Sequence, residues 1–421
     1  MAGENTLSSL NALTKKVYGA RFEELVPDFG ILQKMVGWKN AEKLGETFIQ
    51  AVSLSHEQGF TYGGGAATLE DAVTAATAQA TVSGSPLTLR SIFAYDIMAA
   101  ASAKGEKAFI AATEYRLMKQ KASAAYRLEL QLLHGGDGLA VGDDAQTATI
   151  SDSVDLTIPI TAASWSSGIW SGAENANCSF FKVSDGNPIA GVTTNKASVK
   201  SVDVANKAVK FTFASNSDAT AAKTAVDASA HNIFFYNAKG NEMTGLSSIA
   251  SNSGTLFGIN GANYSMWQGN TYAAGSVDLS LAVILKAVEK PVSKGLQEDV
   301  ACLVNPLSFA KMGVDEAALR RYGAEKKANR GVESIDYYGS NGKISIVVHP
   351  MCKLGEAIIF PKNELKRIGS SDVTFKTPGR GDDLFLQSPT TTSIETRVWS
   401  DQALFTSSPS KFCKITGLTT T

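Results

Sequence analysis

The amino-acid sequence predicts an α+β protein in which a small β domain interrupts a larger fold, and three stretches of the chain predict it. Residues 46–97 form a two-armed excursion around a Gly-, Ala- and Thr-rich tip, and residues 106–134 follow as one helix with no Gly or Pro inside it. From residue 156 the chain turns to short alternating runs, and from residue 277 to helices alternating with strands. A compact domain with chemistry to perform rarely sends out so much chain with so little to bury. A subunit that reaches over its neighbours does.

Residues 1–44 read as an extended arm with short helical pieces, and its apolar patch, residues 26–38, is expected to dock on a neighbouring element. In the excursion, Phe48, Val52 and Leu54 mark a strand. On the return arm Leu87 and Leu89 alternate with Thr88, after which Ile92 and Phe93 read as helical. Gly84-Ser85-Pro86 does not suit a central strand, because Pro donates nothing to a ladder, so the return arm is an edge or a kinked ribbon. In the long helix Ile110, Leu117 and Ala124 form one row, Met118, Ala125 and Leu132 the next, and Lys107, Glu114 and Lys121 a polar row. Its 29 residues span about 43 Å, and Gly135-Gly136 ends it as a left-handed C-cap.

Residues 135–146 read as a flexible Gly/Asp-rich surface link, since the acidic spacing of a calcium loop is missing. Residues 156–236 read as an inserted β domain, with a hairpin between the alternating runs 197–204 and 208–213 and a strand at 233–236 before the turn 237–241. Beyond it come a helix at 279–288, a strand at 300–304, one or two helices over 307–322, and apolar strands at 343–348 and 356–360. The tail returns to β at 373–376, 384–387, 394–399 and 412–416.

Composition narrows the function classes. The 421 residues suffice for two or three domains. With 39 basic and 40 acidic residues the chain is nearly neutral, which argues against a dedicated nucleic-acid binder and leaves self-association electrostatically unopposed. The cysteines, Cys178, Cys302, Cys352 and Cys413, are scattered without a Cys-x-x-Cys pair and are expected to be buried, reduced thiols. The first residues lack a secretory pattern, and no stretch reaches the roughly 18 apolar residues of a membrane helix. A soluble protein made inside a cell is expected.

No motif carries a catalytic signature. Gly342-Lys343 is followed by Ile344 where a phosphate loop needs a hydroxyl, so Asn341-Gly342 reads as a turn. The four histidines lie in four segments; His349 and Cys352 have a spacing a metal could use, but no second pair completes a site. His134 reads as a cation at a helix C-terminus. Arg320, Arg321, Lys326, Lys327 and Arg330 form the densest basic cluster, read either as contacts to phosphate or an acidic neighbour or as a solvated helix end. No enzyme, cofactor or metal site is expected.

The order of parts resembles the major capsid (coat) protein of tailed double-stranded DNA bacteriophages, the Hong Kong 97-type capsid fold. Val304-Asn305-Pro306 with Phe309 is similar to that family's strand-to-helix step. Val348-His349-Pro350 followed by residues 355–361 is similar to its paired central strands, and residues 394–405 to its closing strand and turn. The resemblance implies an N-terminal arm at 1–44, an E-loop at 45–90, a peripheral domain with the spine helix at 91–155, and the inserted β domain at 156–236. It further implies an axial domain at 237–370 and a closing β segment at 371–421 that returns to the peripheral domain. The implied function is self-assembly into hexamers and pentamers of an icosahedral head shell, formed in the host bacterial cytoplasm and found in the virion. The implied partners are further copies, a separate scaffolding protein, a portal, a decoration protein and, without sequence preference, the packaged DNA. Phe29, Trp38, Phe48, Phe60 and Tyr62, with Arg320, Arg321, Lys326, Lys327 and Arg330, are the inter-subunit contact candidates. A tail tube or surface-layer-like β protein is the alternative, and the long helix with the α/β segment speaks against it.

Two departures from the family pattern shape the expectations. Some members weld the shell through an isopeptide bond from an E-loop lysine, yet here no lysine lies between Lys43 and Lys104. Assembled shells are therefore expected to run as monomers on a denaturing gel after hot detergent, and a ladder of covalent oligomers would contradict this. Some members also carry a scaffolding segment ahead of the arm; with 44 residues before the E-loop, a separate scaffold or an already mature chain is expected.

Overall fold

A computed structural model describes residues 30–40, 47–63, 65–94, 106–314, 326–329, 332–375, 386–387 and 393–420. A short helix, α1 (Ile31–Met35), precedes the long one, α2 (Glu106–His134), which occupies the predicted span. Gly135 ends α2 against the chain at 243–245, where a Cβ would lie 2.2 Å from the Met243 carbonyl oxygen, and Gly136 turns left-handed at φ +79. Ala124 and Leu132 are buried as their rows predict, but Met118 is 65% exposed, and Leu128, which continues the polar row, is buried. Near its C-terminus α2 is covered all round, by contrast with the level of Met118. At the level of Met118 the opposite side meets a sheet, where buried Gln120 donates to the Leu89 and Thr396 carbonyls at 2.9 and 3.1 Å.

The excursion is an independent two-stranded sheet. Its strands β2 (Thr47–Ser53) and β3 (Thr77–Ser83) pair from Thr47↔Ser83 to Ser53↔Thr77. After Gly84 the chain continues as β4 (Ser85–Ala94), a strand through Ile92 and Phe93 rather than the expected helix. Pairing decides this: Ile92 and Phe93 lie opposite Glu395 and Ile394 of the long strand β22 (Ser393–Thr406). As expected from Pro86, β4 is an edge strand whose one partner among the described residues is β22. The same sheet holds β20 (Leu365–Thr374), β21 (Leu386–Gln387) and, parallel to β20, the short strand β1 (Trp38–Asn40).

The second sheet has seven strands in the order β5-β11-β8-β9-β10-β7-β6. They are β5 (Ala140–Val141), β6 (Thr149–Asp152), β7 (Asp155–Pro159), β8 (Asn177–Lys182), β9 (Ala197–Asp203), β10 (Ala208–Thr212) and β11 (His231–Phe235). The predicted hairpin is β9–β10, turned at Lys207 with φ +51. Residues 135–146 are not a free link: Ala140 pairs with Ile233, and Leu139 and Ala140 are buried. The sheet claimed backbone that composition assigned to solvent. A helix over Asn216–Ala228, α3, was not expected in this all-β region. Ser215 caps it by accepting the Asp218 N–H, and its buried face is Ala219, Ala222 and Val226. So small a face leaves little periodic signal.

The third sheet is also seven-stranded, β14-β23-β19-β15-β18-β17-β16. It comprises β14 (Asn270–Val277), β15 (Val300–Val304), β16 (Lys326–Asn329), β17 (Val332–Gly339), β18 (Gly342–Val348), β19 (Glu356–Pro361) and β23 (Cys413–Leu418). Every residue of β15 is buried. Ala301 and Leu303 face the larger core shared with α2 and the second sheet, whereas Val300, Cys302 and Val304 face a core under α4 (Leu281–Ser293) and α5 (Pro306–Val314). A strand covered on both faces reads as an unbroken apolar run. Residues 315–322 of the predicted helical stretch lie outside the described residues, and Lys326 and Lys327 fall on a strand paired with β17 rather than at a helix end. No helix among the described residues is long and apolar enough to cross a membrane.

Candidate interaction surface

The arm formed by β2, β3 and the loop between them carries five of the exposed large hydrophobic residues. Beyond the ladder it continues through Leu54 N–H to Ala76 O (2.8 Å) and the Gln58–Val73 bridge (2.9 and 3.2 Å). Past these contacts Phe60, Tyr62 and Leu69 are 67%, 92% and 81% exposed, and Ile49 and Val73 are also open. Isolated two-stranded ribbons are marginal in water, and open strand edges invite pairing. Phe60, Tyr62 and Leu69 thus gather apolar surface at the open end of such a ribbon.

The root of the arm is held by its own chain. Ala80 and Val82 are buried there and Leu54 further out along the ribbon, and the Phe48 ring meets Phe405 of β22 edge-on with centroids 5.3 Å apart. Of the predicted contact candidates, Phe60 and Tyr62 are therefore open at the tip, while Phe48 is engaged within the molecule. Trp38 lies on β1 and Lys326 and Lys327 on β16; Phe29, Arg320, Arg321 and Arg330 lie outside the described residues.

The arm before the excursion is fastened through polar groups that sequence reasoning missed. Glu129 of α2 is fully buried. One carboxylate oxygen accepts the Leu32 N–H and the other the Gln33 N–H (3.0 Å), so the side chain caps α1 from a distant part of the chain. His349 Nε2 lies 2.9 Å from the same carboxylate, and the Met351 N–H donates to His349 Nδ1 at 3.2 Å. Nδ1 thus accepts and Nε2–H donates to Glu129. Arg367 reaches the same segment, donating to the Gln33 carbonyl at 3.3 Å and to Gln402 at 2.8 Å. The one signal for Glu129 was a lone carboxylate inside the apolar run 128–133.

His134 corrects the helix-cation reading. It is fully buried and donates from Nε2 to the Met351 carbonyl at 2.9 Å. Burial, reinforced by the Lys353 ammonium, pushes its proton affinity well below the usual imidazole range, so the ring is neutral. Nearby Asp137 accepts from Ser247 (2.6 Å) and Lys414 (3.1 Å). Burial alone would raise its carboxyl, but Lys353 and Lys414 outweigh that and hold it below the carboxylate range. Glu356 completes the cluster, 3.0 Å from Lys414. His134, Asp137 and Glu356 have metal-like proximity. Two carboxylates against two ammoniums already sum to zero, however, and a divalent ion there would be an uncompensated buried charge.

His349 and Cys352, whose spacing a metal could use, are equally committed. His349 is spent on Glu129, and the buried Cys352 thiol lies near the Leu303 and Glu356 carbonyls. All four cysteines are free and buried, and burial pushes Cys178, Cys352 and Cys413 up to about 12. Thiols held protonated at neutral pH are poor nucleophiles and poor ligands.

No family model and no curated protein matches this sequence. Among solved structures, the chain is similar to the capsid asymmetric unit of Cyanophage A-1(L), at 12% identity and a TM-score of 0.49 over 96% of this chain and 95% of that one. It is similar to the capsid of Myoviridae phage XM1, at 8% identity and a TM-score of 0.46 over 99% and 100%. It is also similar to the SrpI encapsulin complex from Synechococcus elongatus PCC 7942, at 8% identity and a TM-score of 0.45 over 100% and 97%.

Proposed function

We propose that this chain is a shell-forming structural subunit, the major capsid protein of a tailed double-stranded DNA bacteriophage. The observation that carries this reading is the arm: a two-stranded ribbon with an apolar tip open to solvent, rooted in the body by Phe48, Ala80 and Val82. Such a ribbon gains its missing burial by lying over another copy. In a closed shell each subunit both gives and receives an arm, and many modest contacts sum through multivalency. On this reading 45–90 is the E-loop, α2 the spine helix, 237–370 the axial domain around the centre of a hexamer or pentamer, and 371–421 the return to the peripheral domain. The inserted sheet faces outward, where it does not crowd packaged DNA. A separate scaffolding protein, a portal and a decoration protein complete the particle, which assembles in the host cytoplasm. The buried histidines and cysteines serve structure rather than catalysis.

Electron microscopy of the protein expressed with and without its neighbouring genes tests this. Icosahedral shells or capsomers are expected; a monodisperse monomer under every condition rejects the reading, and tubes would favour a tail component. Phe60→Ser with Tyr62→Ser is expected to leave the subunit folded by circular dichroism but to abolish shells. Two aromatics kept from burial cost about 1.5–3 kcal/mol each, so each contact weakens by roughly a hundredfold to ten-thousandfold. Shells formed by the double variant at the wild-type concentration would remove the tip from the interface.

A further inference from the structure

The loop beside the root of the arm breaks a local rule. Strands β12 (Thr255–Leu256) and β13 (Ile259–Asn260) form a minimal hairpin, with Leu256 opposite Ile259 and only Phe257-Gly258 between them. Both turn residues have positive φ, +51 at Phe257 and +81 at Gly258. That is the pattern of a type I′ turn, whose first position favours Asn, Asp or Gly. A bulky aromatic there is a genuine outlier, held only where its surroundings over-determine it. What Phe257 gains is contact with the arm. Its carbonyl accepts the Thr81 N–H of β3 at 2.8 Å, and its ring lies 5.5 Å from Phe405, whose other side meets Phe48 of β2. Both strands of the arm are thus gripped at their base by one strained turn and one shared ring.

On the far side of that grip the arm joins the body through little backbone. β3 belongs to the arm's own sheet and β4 to the body's, and Gly84 alone separates them. Gly84 packs so closely that a Cβ would fall 1.9 Å from a carboxylate oxygen of Asp401. Asp401 is itself buried and bonded to Ser370. The body end of the joint is therefore fixed, and the arm end is held by Phe257.

We propose that the Phe257-Gly258 turn is a latch that sets the angle of the arm, and that its release lets the arm turn about Gly84. The latch gives the proposed shell subunit a means of changing its reach without refolding its body, and in that sense it rests on the shell reading. Its test uses the unassembled full-length chain, so its outcome does not depend on whether shells form. Phe257→Asn removes the ring while supplying the residue that a type I′ turn prefers, so β12–β13 is expected to persist. Amide hydrogen exchange over residues 47–53 and 77–83 is expected to rise at least tenfold, with exchange over 300–304 and the thermal midpoint unchanged. Phe405→Leu, which removes the shared ring from the body side, is expected to give the same local rise. Unchanged exchange over the arm in both variants overturns the latch, because the buried root alone would then set the angle. A rise that spreads to 300–304 in both also overturns it, since the turn would then be a support of the whole fold.

Discussion

Replacing Glu129 by alanine is expected to destabilise the subunit by about 3–5 kcal/mol, because three buried hydrogen-bond donors lose their shared acceptor. The substitution leaves the Leu32 and Gln33 N–H groups and the His349 Nε2–H without their acceptor in a site closed to water. Each orphaned buried donor costs about 1–3 kcal/mol, reduced where the site relaxes or admits water. The damage should begin where the network holds a separate piece of chain. Limited proteolysis is expected to cut residues 30–40 before the body unfolds. Glu129→Gln keeps an acceptor but turns an amide N–H₂ toward one of the three donors, so an intermediate loss is expected. Denaturant unfolding of Glu129→Ala within about 1 kcal/mol of wild type would mean that the network does not hold the arm.

Acid is expected to weaken the unassembled subunit from pH 6.5 downward, earlier than carboxylate titration alone would cause. His134 is neutral in the fold, held so by burial and then by Lys353, with Lys414 adding to both and Asp137 opposing. An unfolded chain takes up a proton at this histidine near pH 6.5, whereas the folded chain does not until well below it. Between those values the unfolded state binds more protons, so stability falls with falling pH at about 1.4 kcal/mol per unit. From pH 6.5 to 5 the loss is about 2 kcal/mol. His231, whose affinity burial also lowers, adds in the same direction. Near pH 4 Asp137 joins: its folded carboxyl titrates lower than its unfolded one, so its contribution is present above that range and lost below it. Its side chain is about one third exposed, so that share is the smaller. Urea midpoints at pH 7 and pH 5 measure the effect, and His134→Gln, which keeps a donor for the Met351 carbonyl, is expected to remove most of it. An equal pH 7 to 5 loss in that variant would exclude His134 as the cause.

Elements whose signal is local were legible in the sequence. Helix α2 was readable end to end because nothing inside residues 106–134 breaks a helix and Gly135-Gly136 stops one. β15 was readable because a strand buried on both faces is an unbroken apolar run, and β9–β10 because alternation and a turn coincide. The open tip at Phe60 and Tyr62 was readable as reach without burial. Of four errors, three share one cause, that partners distant in sequence override local preference, and the fourth, α3, lacked a local signal. Ile92 and Phe93 became strand because β22 was there to pair with them. Residues 139–141 left the surface because β11 offered an edge. Helix α3 packed on alanines, whose small faces give almost no periodic signal, and His134 lost its charge through burial against Met351 and Lys353, more than two hundred residues away.

By itself the sequence determined the order of parts, the long helix, the exposed ribbon with its lysine-free loop, and the near neutrality that leaves self-association unopposed. Each follows from residue type and spacing alone. Only the tertiary structure decided that Glu129 caps a helix from the arm, that Phe48 faces inward while Phe60 and Tyr62 do not, and that Phe257 occupies a turn position ill suited to it. These are contacts between segments tens to hundreds of residues apart, and their energy comes from burial and hydrogen-bond geometry that exist only once the chain has closed on itself.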